Sequence, residues 1–159
     1  MAKLAINGAK PVFETMFYKP WPIWDNRERK GLLDILENGA WWYGAKVKEF
    51  EEKYAAFQNA QYGVTCSNGT VAIEIALITL GIGAGDEVIV PPYTFVATAS
   101  AVLKANAIPV FVDVDLATWN LDAKQIERAI TKRTKAIVPV HFACLPADMD
   151  AIKRIAKKY

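Results

Sequence analysis

Histidine and cysteine are scarce in this chain, which has one histidine and two cysteines among 159 residues. Cys66 and Cys144 lie far apart and form no CxxC pair, and His141 is the one imidazole. No metal site is therefore expected from the sequence. Two isolated cysteines are typical of a reducing compartment, so we expect a cytoplasmic protein without a disulfide framework.

Long apolar runs are also missing. The longest uncharged stretch, residues 88–103, is slightly short for a membrane span and carries Pro91 and Pro92. Residues 1–8 lack the apolar core of a signal peptide. The net charge is only +2, and the densest basic cluster, residues 131–135, has no interleaved aromatic residues. The sequence predicts a soluble protein with neither a membrane nor a nucleic-acid partner.

Strand-like and helical segments alternate from residue 62 onward, and this order is typical of an α/β fold. Runs such as Val88-Ile89-Val90 are apolar on both faces, as parallel strands are when helices cover both sides of the sheet. We expect strands at residues 62–66, 87–90, 109–112 and 136–140, followed by helices at residues 70–80, 94–104, 122–130 and 147–158. The pattern predicts a mostly parallel sheet with right-handed crossovers.

The segment before residue 62 has a different pattern. Residues 1–24 are rich in proline and tryptophan without clear periodicity, and we interpret them as an extended arm. Asp25 and Glu28 form a capping-box pattern that predicts the start of a helix, and Gly39 predicts its end. Apolar residues three or four positions apart over residues 47–57 indicate a second amphipathic helix.

The segment Ser67-Asn68-Gly69-Thr70 stands between the first predicted strand and an apolar helix. Its hydroxyl and backbone N–H groups lie at the positive end of that helix, where a phosphate group binds well. The simpler alternative is an N-cap, in which Asn68 or Thr70 satisfies the free amides of the helix. The residues by themselves leave both interpretations open.

Two other segments, residues 91–95 and 141–144, leave strands at the same edge of the predicted sheet. Ligands of such sheets bind beyond the carboxyl ends of the strands. We therefore expect these segments and residues 67–70 to be neighbours in space. The ring of Phe95 either covers a flat aromatic ligand or packs in the core.

Six motifs follow one another along the chain. They are Gly39-Ala40-Trp41 with Val47-x-x-Phe50-Glu51, Ser67-Asn68-Gly69-Thr70-x-Ala72, Gly81-x-Gly83-x-Gly85-Asp86-Glu87-Val88-Ile89, Tyr93-Thr94-Phe95-x-Ala97-Thr98, Phe111-Val112-Asp113 and Thr134-Lys135-Ala136-Ile137-x-Pro139-Val140-His141. At this spacing the set resembles the DegT/DnrJ/EryC1/StrS family of pyridoxal-phosphate aminotransferases. The resemblance covers about residues 6–159. It implies the type I, aspartate aminotransferase-like fold, with residues 25–159 as the first part of an incomplete, cofactor-binding large domain.

The resemblance also implies roles for individual residues. Gly69 and Thr70 would hold the phosphate of pyridoxal 5'-phosphate, and Phe95 would stack on its pyridine ring. Tyr93 and Trp42 would border the space for the substrate.

An activity and a partner follow from the same resemblance. Members of the family are homodimers that move an amino group from glutamate or glutamine to a ketone. Residues 145–150 are similar to those of the branch that acts on keto-cyclitols and some nucleotide-linked keto-sugars. The N-terminal arm would then lie against the second subunit.

The reactive groups of this chemistry have no counterpart among these residues. The family's cofactor-binding lysine, and the carboxylate that keeps the pyridine nitrogen protonated, both lie beyond residue 159. No lysine offers a substitute. Lys132 and Lys135 lie on the amino side of a strand, and the following lysines belong to predicted helices or their flanks: 46, 48, 53, 104, 124, 153, 157 and 158. Asp113 and Asp115 are interpreted as a turn. We predict that the chain alone has no catalytic residue and is inactive.

Two alternatives to an aminotransferase fragment stay open at this point. One is a non-catalytic or degenerate member of the same fold that binds a phosphate ligand. The other is a relative that uses the same cofactor for dehydration.

Two further residues, His141 and Cys144, lie near the same edge. His141 ends a strand, and structural support is favoured over direct contact with a ligand. Cys144 stands where similar proteins usually carry glycine, so it could perturb its loop. We expect a small core residue there, with a reactive thiol as the alternative.

Overall fold

The computed structural model describes residues 3–13 and 21–159, which divide into two compact units at residues 1–63 and 64–159. Parts of the predicted arm, residues 1–2 and 14–20, lie outside the described residues. The described part of the arm has one turn of 3-10 helix, Ala5–Asn7, and no other regular element.

Two helices form most of the first unit: α1 at Asn26–Asn38 and α2 at Ala45–Phe57. Asp25 caps α1 through its side chain, and the Glu28 carboxylate accepts the Asp25 amide at 2.7 Å, which completes the predicted capping box. Gly39 ends the helix with φ +66°, a left-handed conformation that glycine adopts without strain. Both predictions about α1 are confirmed.

The second unit alternates helices and strands around a three-stranded sheet. Its elements are α3 at Gly69–Thr79, β1 at Glu87–Val90, α4 at Ala97–Lys104, β2 at Ile108–Phe111, α5 at Ala123–Ala129, β3 at Thr134–Ile137 and α6 at Met149–Lys158. All strands are parallel, in the order β2-β1-β3. The predicted parallel α/β architecture is confirmed.

Strand β1 lies at the centre of this unit and is buried on both faces. Val88 and Val90 face one side, in a cluster with Leu77 of α3 and Val102 of α4. Ile89 faces the other side, in the cluster that contains α5 and α6. The alternation of side chains along one strand therefore explains why helices cover both faces of the sheet.

The predicted strand at residues 62–66 is wrong, since these residues form no strand. β-prone residues favour an extended backbone, but a strand also needs a neighbour that supplies hydrogen bonds. Both edges of β1 are occupied by β2 and β3, and the sheet of the described residues has no ladder that includes residues 62–66. Tyr62 and Val64 are accordingly exposed.

The bounds of several other elements differ from the prediction by a few residues. Strand β3 ends at Ile137, because residues 138–141 already form the exit loop. Helix α4 begins three residues later than predicted, because residues 91–96 form turns after β1. In the parts of the chain that the structure describes, no helix has the length and apolar character to cross a membrane.

Candidate functional site

The start of α3 combines a helix cap with free backbone donors. Asn68 is the cap, since its Oδ1 accepts the amide of Val71 at 3.1 Å. The amides of Gly69 and Thr70 precede Val71 and have no protein acceptor among the described residues. A Cβ at Gly69 would meet no atom within 4 Å, so the space beside it is open. The cap and the anion site predicted from the sequence are therefore compatible, because one bond satisfies only one of the amides.

Hydrogen bonds hold the backbone around Phe95, whereas its ring is exposed. The Phe95 carbonyl accepts the amide of Thr98 at 3.1 Å, and the hydroxyls of Thr94 and Thr98 are 3.0 Å apart on either side of it. Thr98 is buried, whereas Phe95 is 76% exposed. The alternative that Phe95 packs in the core is therefore wrong for this chain.

Tyr93 joins two exit loops through ring contacts. Its ring centroid lies 4.8 Å from that of Phe142, in the loop after β3. A second contact, with centroids 5.1 Å apart, joins it to Trp119 in the turn that precedes α5. The loops after β1 and β3 are therefore neighbours, as their place at the carboxyl edge predicts.

Asn120 fixes the loop after β3 at several points. Its side chain is buried, and its Oδ1 accepts the amide of Phe142 at 2.8 Å. Its Nδ2 donates to the carbonyls of Leu145 and Pro146 at 3.1 and 3.3 Å. Sequence reasoning missed Asn120 and Trp119, because neither belongs to a local motif and the partners of Asn120 are more than twenty residues away.

His141 takes a structural position in the same loop. Its Nδ1 accepts the amide of Ala147 at 3.0 Å, which ties the end of β3 to the start of α6. This contact agrees with the structural role favoured from the sequence.

Cys144 is exposed, so the expectation of a small core residue is wrong. Ala143 and Cys144 both have positive φ, +48° and +66°. Residues other than glycine are strained in this left-handed region. The loop therefore keeps a backbone conformation that favours glycine, although no glycine is present.

The acidic residues after β2 form a turn, as predicted. The Asp115 carboxylate accepts bonds from the Thr118 hydroxyl and from the amides of Ala117 and Thr118. These bonds, led by the Thr118 hydroxyl, lower the pKa of Asp115. Asp113 accepts the amide of Val114. Both carboxylates therefore have local structural partners.

The lysines of the second unit lie on helices or at the amino side of a strand. Lysines 104, 124, 153, 157 and 158 are on helices, while Lys132 and Lys135 lie at the amino side of β3. Within the described ranges, no group of three or more His, Cys, Asp or Glu residues could hold a metal ion.

Trp42 lies in the first unit, between α1 and α2. It is 90% exposed and lines a cleft of about 400 Å³ with Trp41, Ile35 and Val47, between α1 and α2. The proposed place of Trp42 beside a substrate stays a prediction.

The start of α3 and the loops after β1 and β3 therefore offer three kinds of contact. Free amides at a helix start suit an anionic group. The exposed ring of Phe95 can cover the face of a flat ligand. The rings of Tyr93, Phe142 and Trp119 form an aromatic cluster, and Tyr93 is only two residues before Phe95 in the sequence. These contacts have the chemistry to hold a phosphorylated aromatic ring, but they provide no amine nucleophile.

The chain is similar to proteins of one aminotransferase family. The model of the DegT/DnrJ/EryC1/StrS aminotransferase family matches residues 22–159. The UDP-2-acetamido-2-deoxy-3-oxo-D-glucuronate aminotransferase of Pseudomonas aeruginosa is 48% identical over 81% of this chain and 36% of its own length.

Solved structures show the same similarity. The crystal structure of a 3-amino-5-hydroxybenzoic acid synthase matches 89% of this chain and 37% of its own chain, with 45% identity and a TM-score of 0.84. A Bacillus subtilis protein, NtdA, solved with the bound cofactor PMP, matches 85% of this chain and 32% of its own, with 37% identity and a TM-score of 0.79. This chain therefore spans about a third of the length of these relatives.

The prediction of the type I fold is confirmed by this similarity to solved structures. Both the family model and the structural similarity extend over most of the chain. The chain belongs to the DegT/DnrJ/EryC1/StrS aminotransferase family.

Proposed function

We propose that this chain is the N-terminal part of a pyridoxal-phosphate aminotransferase. The complete enzyme would transfer an amino group from glutamate or glutamine to a ketone on a nucleotide-linked sugar or a cyclitol. The observation that carries the proposal is the start of α3, where two amides are free beside open space, in a chain of an aminotransferase family. The name of the Pseudomonas relative, which contains a UDP-linked oxo sugar, supports the class of ketone.

The cofactor phosphate is proposed to bind at Gly69 and Thr70. Their amides donate to its oxygens, and the Thr70 hydroxyl adds a third donor. The positive end of the α3 dipole favours the negative charge there. Because Asn68 already caps Val71, phosphate binding needs no rearrangement of the helix start.

Phe95 is proposed to cover one face of the pyridine ring and to exclude water from it. The fixed backbone of Phe95, between the hydroxyls of Thr94 and Thr98, holds the exposed ring in place for this contact. When bound, pyridoxal 5'-phosphate supplies the electron-accepting ring that carries the amino group between the two substrates. Tyr93 and Trp42 are proposed to border the ketone.

The 159 residues alone are proposed to bind the cofactor without turnover. This follows from the position of the lysines, which lie on helices or at the amino side of β3 in the second unit. Reduction with borohydride in the presence of pyridoxal phosphate tests the point. Low, scattered modification is expected, and one dominant lysine adduct would contradict the proposal.

The complete protein is proposed to be a homodimer. Large apolar side chains on α1 and α2 support this, since Leu32, Leu36, Phe50 and Phe57 are more than half exposed. Light scattering during size-exclusion chromatography measures the mass of the natural protein, for which twice the subunit mass is expected.

Titration calorimetry with pyridoxamine 5'-phosphate tests the cofactor proposal. This amine does not condense with lysine, so it reports only the phosphate and ring contacts. Phe95→Leu should weaken binding roughly three- to tenfold, because a ring contact is lost. Leu80→Ala, at the far end of α3, is the control, since Leu80 is similarly exposed, at 74%. Absence of saturable binding by the parent protein would overturn the proposal.

A further inference from the structure

We propose that Asn120 is a positioning residue that sets the place of the Tyr93 ring at the carboxyl edge of the sheet. It does so by joining the loop after β3 to the turn that precedes α5. The assignment of this edge to the substrate rests on the proposed function, in which Tyr93 borders the ketone.

The side chain of Asn120 uses both of its polar atoms on one loop. Oδ1 accepts the Phe142 amide at 2.8 Å, and Nδ2 donates to the carbonyls of Leu145 and Pro146. Asn120 is 4% exposed, so water does not replace these bonds readily. Removing the side chain would leave three backbone groups of the loop without their partner.

These bonds act on Tyr93 through Phe142. The amide that Asn120 accepts belongs to the residue whose ring lies 4.8 Å from that of Tyr93, centroid to centroid. Asn120 therefore fixes the backbone from which that ring projects.

Trp119, the residue before Asn120, contacts Tyr93 as well, with centroids 5.1 Å apart. Its backbone is held with φ +60° by two bonds across the turn. The Trp119 amide donates to the Asp115 carbonyl at 2.8 Å, and the Asp115 amide donates to the Asn120 carbonyl at 2.9 Å. Asn120 thus fixes the backbone of Phe142, and the turn that contains Trp119 fixes the backbone of Trp119. These are the two rings that contact Tyr93.

The ring cluster is separate from the hydrophobic core. Tyr93 and Trp119 are 48% and 47% exposed, and neither belongs to the two core clusters of this unit. Their arrangement therefore contributes little to the core, while it determines where the Tyr93 ring lies in the loop after β1. This separation makes a positioning role distinguishable from general stabilisation.

The test compares Asn120→Ala with Asn106→Ala in the full natural protein. Asn106 has φ +60°, a conformation that alanine tolerates less well than asparagine, and it is exposed in the connection between α4 and β2, far along the chain from this loop. Nuclear Overhauser contacts between the Tyr93 and Phe142 rings, and hydrogen exchange of the Phe142 amide, are measured in each variant. In Asn120→Ala the ring contacts should disappear, and the Phe142 amide should exchange at least tenfold faster. In Asn106→Ala both the ring contacts and the exchange rate should stay as in the parent.

Asn120→Asp is the conservative variant, because its carboxylate still accepts the Phe142 amide. It should retain that amide's protection and the ring contacts better than Asn120→Ala does. Ring contacts that persist in Asn120→Ala, or that are lost equally in Asn106→Ala, would overturn the proposal.

Binding of pyridoxamine 5'-phosphate separates this proposal from the proposed function. Asn120→Ala should bind it within twofold of the parent, because Gly69, Thr70 and Phe95 are unchanged. A parent protein that does not bind it overturns the proposed function and the assignment of this edge to a substrate. The ring contacts then still decide whether Asn120 positions Tyr93.

Discussion

The Asn68 side chain accepts the Val71 amide at 3.1 Å, and this single bond separates the capping role of Asn68 from the binding role of the two amides that precede Val71. A helix N-terminus has four amides without intrahelical partners, and one side-chain oxygen satisfies one of them. Stability and ligand affinity at the start of α3 should therefore respond differently to substitution.

Substitution of Asn68 tests this separation. Asn68→Ala removes the cap and should lower the free energy of unfolding by about 1 kcal/mol. Asn68→Asp keeps the cap, but its negative charge repels a phosphate, so stability should be maintained while affinity for pyridoxamine 5'-phosphate falls. Urea unfolding and calorimetry measure the two effects. An Asn68→Asp variant that binds as tightly as the parent would contradict a phosphate site at this helix start.

Two glycines of the first unit should respond in opposite directions to alanine. A Cβ at Gly63 would lie 2.7 Å from the carbonyl oxygen of Glu51 in α2, so Gly63→Ala should destabilise by about 1–3 kcal/mol. Gly31 lies inside α1 with no atom within 4 Å of a Cβ, and Gly31→Ala should stabilise by about 0.5–1 kcal/mol. Thermal unfolding measures both variants, and equal effects would contradict the close approach at Gly63.

The pH dependence of stability should reflect Glu87, which is buried at the amino end of β1. Hydrogen bonds from the Thr131 hydroxyl and then from Arg133, each 2.5 Å long, lower the pKa of Glu87. A carboxyl whose folded pKa is depressed stabilises the fold above its unfolded pKa of about 4.3. That contribution is lost as the pH falls through the lowered folded value.

Acid titration of the urea midpoint measures this effect. Thr131→Val removes the leading hydrogen bond and should move the acid transition to higher pH. Thr79→Val, at the exposed end of α3, is the control and should leave the transition in place. Glu87→Gln should be less stable than the parent at neutral pH and should lose less stability on acidification. A transition that is identical in all variants would show that Glu87 does not contribute.

Cys144→Gly should stabilise the loop after β3. Cys144 has φ +66°, a conformation that costs a residue with a Cβ about 1–2 kcal/mol and costs glycine little. The free energy of unfolding should therefore rise by about 1 kcal/mol, less the entropy that glycine adds to the unfolded chain. Cys66→Gly is the control, since Cys66 does not have a positive φ. A destabilised Cys144→Gly variant would show that the thiol has a contact worth more than the strain.

The sequence predicted correctly those helix starts and strands that depend on interactions between residues close together in the chain. Strand β1 has the predicted bounds, because a run that is apolar on both faces is typical of a central parallel strand. Asp25 caps α1 as predicted, since capping depends only on residues within one turn.

Long-range interactions explain what the sequence did not reveal. Residues 62–66 have the composition of a strand, but pairing depends on a partner that composition does not specify. Asn120 acts on carbonyls 25 and 26 residues away, so no local pattern marks it. Whether Phe95 was buried or exposed also depended on packing that the sequence leaves open. The roles of Gly69, Thr70, Phe95, Tyr93 and Trp42 stay predictions.

Amide chemical shifts during titration with pyridoxamine 5'-phosphate test the central claim most directly. Since the phosphate is proposed to accept bonds from the free amides of α3, the largest saturable shifts should occur at Gly69 and Thr70, with inorganic phosphate producing smaller shifts at the same two residues. Thr79, at the other end of the helix, should not shift. Saturable binding whose shifts lie elsewhere and leave Gly69 and Thr70 unchanged would contradict the account.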